Sequence, residues 1–400
     1  MYLKQGFQII TVLTIFLITA CDKGSDGPKP IVIKNSISDS VVFKKVMISG
    51  QPDYVIENAI EINAPVIIEP GVVIEMKSGA SIRISNNGSL TAVGNADKKI
   101  IFQGEIDSIS SWEGIVVSNV GLDLKSGAGD EGPVCRLIHC EIRNAGVARS
   151  GDTAVQAAIR VEGNVRLVMQ NSHIYNSGGY GINITSAASR LDSFTNNTIE
   201  KCLLAPVRCP VNSFYALDSL STFNNNNFPK IEGYYIQNEP LNKWATWQRL
   251  DVPYFLPPAI ITVNGRINVL PGTHIQPSKG SGIKVSKTGS LKCVGDLSNF
   301  IMIEPATQEK GYWAGIQISS YEGSKFSYVL ISGGGSDFSG FSLPIRKSNI
   351  EITYGGRLEI TYCNIKNSSG YGINILKGGI IVDKDNYYSG NILGNKYIAQ

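Results

Sequence analysis

Cys140-Glu141-Ile142-Arg143-Asn144, His173-Ile174-Tyr175-Asn176 and Asn197-Thr198-Ile199-Glu200 repeat one phrase, an isoleucine between two residues able to face water. Asn227-Phe228 reads as a fourth version, so the apolar centre recurs at 142, 174, 199 and 228, in steps of 32, 25 and 29. Steps in the twenties to low thirties predict the coils of a right-handed parallel β-helix, each with three short strands and three turns. Asn suits such turns, because it tolerates the left-handed backbone and its amide can bond the Asn of the next coil.

Outward from that phrase, apolar and polar residues alternate in bursts of four to six, as in Ser81-Ile82-Arg83-Ile84 and Gly114-Ile115-Val116-Val117, with Gly or Asn after nearly every burst. Period two with frequent turn residues means β-strand. After residue 30 no stretch reads as an amphipathic helix. A sandwich or antiparallel barrel would need hairpin dipeptides at regular spacing, and these are largely missing.

The phrase belongs to a larger repeat. Residues 69–94 read EPGVVIEMKSGASIRISNNGSLTAVG and residues 270–295 read LPGTHIQPSKGSGIKVSKTGSLKCVG, an offset of 201 that holds without gaps to Trp112 against Trp313. Asn176-Ser177-Gly178-Gly179-Tyr180-Gly181-Ile182-Asn183-Ile184 returns at Asn367 with the offset reduced to 191. The chain is therefore read as an all-β, right-handed parallel β-helix solenoid built from two tandem copies of a module of about 200 residues: module 1 at 45–240 and module 2 at 241–400, one continuous with the other. At roughly 25 residues per coil this gives about 14 coils, and at about 4.8 Å per coil a rod roughly 65 Å long.

The order PG-x-x-I, GSL-x-A-x-G, I-x-F, W-x-GI and NS-x-x-GI over residues 50–390 resembles right-handed parallel β-helix surface lipoproteins of the Bacteroidetes type, within the broad pectin-lyase-like class. That resemblance implies the fold and leaves function open among lyases, glycosidases and non-catalytic surface proteins.

The N-terminus carries an address. Lys4 precedes an apolar stretch at residues 7–18, too short for a comfortable membrane span and suited to a signal peptide over residues 1–20. Ile18-Thr19-Ala20-Cys21 resembles the bacterial lipobox, which implies cleavage before Cys21 and lipidation of that residue. Residues 21–44 are expected to hold the lipidated Cys21 and a flexible tether, Gly-, Ser- and Pro-rich at its start. The expected address is the outer membrane, on its cell-surface or periplasmic face, with the membrane as partner through the lipid anchor.

The 36 basic and 33 acidic residues nearly cancel, which gives no electrostatic case for nucleic acid. With only His139, His173 and His274, no metal site or cofactor is expected. Neither consecutive Asp residues nor a Gly-His-Gly occurs. One patch stands out. If Ile142, Ile174 and Ile199 point inward, their neighbours form two outward ladders, Glu141/His173/Thr198 and Arg143/Tyr175/Glu200. Glu141, Arg143, His173, Tyr175 and Glu200 are thus the candidate glycan-contact strip, set against an ordinary solvated face of alternating charges. The second copy holds Leu330, Ser332, Asn364 and Lys366 there. The leading expectation is a non-catalytic surface protein that binds polysaccharide or another macromolecule. The alternative is a polysaccharide lyase or glycoside hydrolase using the strip. Trp112 and Trp313 are expected to pack or cap a turn; Trp244 and Trp247 are either an exposed sugar-stacking cluster or a plug between the modules. Cys140, Cys293 and Cys363 are expected in the core, and Cys202 with Cys209 as a candidate disulfide.

Overall fold

The computed structural model describes residues 27–399 apart from 49, 86, 120–132, 148–155, 237–238 and 337–346. Residues 1–20 and Cys21 lie outside the described residues. Among these described residues every strand pairing is parallel, and the strands stack into five sheets of seven, thirteen, six, six and six strands. This is a parallel β-helix. The alternation predicts the register: the inward column Tyr54, Ile74, Phe102, Ile142, Ile174 and Ile199 runs through successive turns, all of it buried. Burying each such side chain stabilises by about 1.5–3 kcal/mol relative to leaving it in water.

The thirteen-stranded sheet runs from Ala59–Ile62 to Tyr387–Ser389 and is shared by both copies. Its strands, with the bridge of Ile37 to Ile62 that prolongs it by one, mark fourteen turns. In the first copy a seven-stranded sheet, Ile31–Ile33 to Thr198–Glu200, precedes the shared sheet in each turn, and a six-stranded one, Val41–Phe43 to Arg190–Leu191, follows it. In the second copy the preceding sheet runs from Ala245–Trp247 to Ile380–Lys384 and the following one from Ile260–Val263 to Gly394–Ile398.

The copies are out of phase on the rod. Tyr54–Ile56 lies in the first sheet, whereas its counterpart Tyr254–Leu256 lies in the shared sheet. One face takes the chain from Tyr54–Ile56 to Ala59–Ile62, and seven steps along the shared sheet then reach Tyr254–Leu256. The 201-residue offset is therefore seven turns and one further face, so equivalent residues of the copies look out from different sides.

Three expectations are corrected. Ile31–Ile33 and Val41–Phe43 pair with Tyr54–Ile56 and with residues 66–68, so the first turn begins inside the stretch 21–44 read as tether; both strands are apolar enough to join the core. The fourth phrase is Thr222-Phe223, not Asn227-Phe228. Thr198 bridges Thr222 and Phe223 is fully buried, while Phe228 is 51% exposed. Cys202 and Cys209 are both free and buried. Cys202 follows the last strand of the first sheet, whereas Cys209 sits in Val207–Pro210 of the shared sheet, so the chain rounds a corner between them instead of turning back. Cys140, Cys293 and Cys363 are buried in the core as expected, beside Cys135.

The corners use the expected chemistry. Asn144 and Asn176 both have φ of 62°, and the Asn176 amide donates to Asn144 Oδ1 at 2.6 Å; Asn196 donates to Asn171 in the same way at the preceding corner. Left-handed single residues flank each of the three strip strands on both sides, His139 and Asn144, Asn171 and Asn176, Asn196 and Lys201, and aim their side chains reproducibly.

Candidate functional site

The strip assembles in the expected register. Glu141 pairs with His173 and His173 with Thr198; Arg143 pairs with Tyr175 and Tyr175 with Glu200. All lie on the outer face of the first sheet, because each flanks an inward isoleucine.

Its charges are mutually satisfied. Glu141 is buried, accepts a hydrogen bond from Lys99 Nζ at 2.9 Å and is paired with the Arg143 guanidinium. Burial pushes its carboxyl up, but the bonds from Lys99 and Arg143 outweigh that and hold it below the usual carboxylate range. Glu200 Oε1 lies 2.9 Å from His173 Nε2, and Glu200 Oε2 accepts from the Asn225 amide at 2.7 Å. Lys201 Nζ donates to the Tyr175 hydroxyl at 2.9 Å and stands 4.8 Å from its ring centroid; that bond raises the lysine's pKa. The His173 and Tyr175 rings meet edge to face at 5.7 Å.

Lys99, Lys201 and Asn225 were missed by the sequence reading. Each lies outside the strand phrase, on a corner or in the following turn, where two-residue periodicity carries no signal. Another missed residue is Glu351, outward on Ser348–Ile352 of the second copy between Gln317 and Asn374. It is buried and accepts amide bonds from Gln317 at 2.7 Å and Asn374 at 3.0 Å. Burial outweighs those bonds and raises its pKa.

The tryptophans divide. The Trp112 indole N–H donates to Arg143 O at 2.8 Å and that of Trp313 to Ser332 O at 2.8 Å; both side chains are fully buried. Arg143 and Ser332 occupy the same place in the two copies, so the bond is a feature of the module. Trp247 is the plug, buried against Phe214 at 5.3 Å and Tyr254 at 5.8 Å. Trp244 is 76% exposed, with the Arg266 guanidinium 4.5 Å from its ring centroid.

Among the described residues no group of three or more His, Cys, Asp or Glu could hold a metal ion, and no helix is long and apolar enough to cross a membrane. Comparison of the chain with protein-family models and with curated proteins finds no match.

Proposed function

We propose that the chain is a surface lipoprotein, anchored through Cys21 in an outer membrane, whose β-helix is a rigid, non-catalytic rod that binds glycan on its outer faces. The observation that supports it best is the state of the strip's carboxylates. Glu141 is held ionised by Lys99 and Arg143, which unfits it as a general acid. Glu200 stands two turns away, roughly 10 Å along the axis, with His173 and Tyr175 on the turn between. What the strip offers to solvent is the Arg143 guanidinium, the Tyr175 ring and the Lys201 ammonium, groups that stack on sugar rings and donate to hydroxyls. The resemblance to Bacteroidetes-type surface lipoproteins of the pectin-lyase-like class supports the surface address and the lipid anchor, not the choice between binding and catalysis.

Two experiments test it. On a glycan array, Tyr175→Ala and Arg143→Ala are expected to lose the signal of the wild type. Tyr175→Ala should change stability within about 0.5 kcal/mol, and Arg143→Ala by up to about 1 kcal/mol because Glu141 keeps Lys99. Variants that bind every glycan as the wild type does would return the strip to an ordinary charged face. Release of reducing ends or unsaturated sugars from any array hit would overturn the non-catalytic reading. For the anchor, Cys21→Ser is expected to move the protein from the detergent to the aqueous phase on phase partition, since acyl chains contribute about 0.8 kcal/mol per buried CH₂. Unchanged partition would dismiss Cys21 as the anchor.

A further inference from the structure

The one-face shift between the copies leaves a gap beside the shared sheet. On the side that follows that sheet, the first copy's strands end at Arg190–Leu191, and the second copy's side begins with the bridge of Leu241 to Val263. The turn between carries the 3-10 helix Val211–Ala216 in place of a strand. A cleft of about 430 Å³ opens there, lined by Arg190, Asn212, Tyr215, Glu239, Asn242 and Lys243 among others. That volume lies within the range of small-ligand sites, about 300–1,000 Å³.

The charges of the lining contrast with three paired arginines elsewhere on the rod. Arg83, Arg166 and Arg266 are each paired with a carboxylate, those of Glu113, Asp192 and Glu322. Arg190, Lys243 and Glu239 make no hydrogen bond or ion pair through their side chains among the described residues. Lys243 Nζ lies 5.6 Å from the centroid of the Tyr215 ring, which is itself 39% exposed. Two cations and one carboxylate without an ion pair among the described residues, with amides and a ring, thus converge on one concavity, with one positive charge in excess.

We infer that this joint cleft binds a residue of an acidic saccharide. The acid group takes Arg190 and Lys243, Glu239 and Asn212 take ring hydroxyls, and the Tyr215 ring faces the sugar's C–H side. The inference rests on the glycan-binding reading above and places a specific acidic subsite at the joint, apart from the strip. The cleft exists because the copies are out of phase, so a chain with an offset of whole turns would lack it.

Titration calorimetry of the full chain in detergent micelles tests this with three probes: an unsulfated chondroitin tetrasaccharide, its sulfated counterpart and neutral chitotetraose. At least one acidic probe is expected to bind and the neutral one not, the two acidic arms telling carboxylate from sulfate. Arg190→Ala/Lys243→Ala should weaken binding at least tenfold with unchanged thermal melting. The charge-keeping pair Arg190→Lys/Lys243→Arg should restore most of it, and Tyr175→Ala on the strip should leave it within twofold. Equal binding of the neutral probe, no binding of either acidic probe, or an Arg190→Ala/Lys243→Ala variant within twofold of wild type overturns the cleft. If instead Tyr175→Ala abolishes binding and the cleft variant does not, the cleft fails while the glycan reading stands. A chain that binds no probe and no array glycan refutes both.

Discussion

Trp112→Ala is expected to destabilise the protein by about 3–5 kcal/mol, and Trp313→Ala by a similar amount. Both side chains are fully buried and are the two largest that are among the described residues. Removing either leaves a cavity the surrounding strands cannot collapse into, because each strand is held in register by its neighbours on the adjacent turns. It also leaves a backbone carbonyl, Arg143 O or Ser332 O, without the indole donor. Trp→Phe separates the two contributions: most of the packing stays, and the expected cost falls to about 1–2 kcal/mol, that of the carbonyl left unpaired. In a solenoid each turn is stabilised chiefly by the turns beside it, so the loss should be local. Amide hydrogen exchange should quicken in Ile100–Gly104 and Cys140–Arg143 for Trp112→Ala, and much less in the second copy. A cost below 1 kcal/mol, or uniform acceleration along the rod, would contradict this account.

The fold was legible because a β-helix repeats its physics at every turn. An isoleucine flanked by two polar residues, closed by Asn, specifies inward, outward and corner positions at once. The two outward ladders follow from that alone and occupy the structure in the read register. The fourth phrase failed on the same logic: the run Asn224 to Asn227 imitates a corner, and the slot lies five residues earlier, at Phe223. The rotation between the copies was not legible, because sequence offsets count residues and not turns. Paired residues on successive turns are 20 apart at Tyr54 and Ile74 but 40 apart at Ile100 and Cys140. The joint cleft and its charges depend on that rotation, so no local pattern announced them.

The ends of the rod pose a separate problem, since an open stack of parallel strands exposes its core. The last turn answers it with polar residues at inward positions. Asp383 stands opposite Ile360 and Lys396 opposite Ile373, and Asp383 accepts hydrogen bonds from Lys396 Nζ at 2.7 Å, the Tyr388 hydroxyl at 2.6 Å and the Asn386 amide at 2.7 Å. Such groups at core positions disfavour the stacking of further copies onto the open end.

The first turns use a single carboxylate, and its removal is the other large expected effect. Asp53 is fully buried. Its Oδ1 accepts from the amides of Val46 at 2.8 Å and Met47 at 2.7 Å, and its Oδ2 from Val73 N at 2.7 Å and Lys45 Nζ at 2.8 Å. It thereby ties the loop after Val41–Phe43 to the next two turns. Asp53→Ala strands three backbone donors and an ammonium and is expected to cost about 3–5 kcal/mol. Asp53→Asn keeps the oxygen that serves Val46 and Met47 but turns an NH₂ toward two donors, so about 2 kcal/mol is expected. The pH dependence has a definite sign. Burial pushes the Asp53 carboxyl up, but the bonds from Lys45, Val73, Met47 and Val46 prevail and hold it below 3.8. A depressed folded-state pKa means the stabilisation is fully present above the unfolded value of about 3.9 and is lost as pH falls through the folded one. Protection factors for hydrogen exchange, corrected for the intrinsic rate at each pH, should therefore fall in Tyr54–Ile56 and Val73–Met76 below about pH 4 in the wild type. In Asp53→Asn the same strands should be fast already at neutral pH, with a flatter acid response. Equal acid sensitivity in both proteins would show that Asp53 does not carry the N-terminal turns.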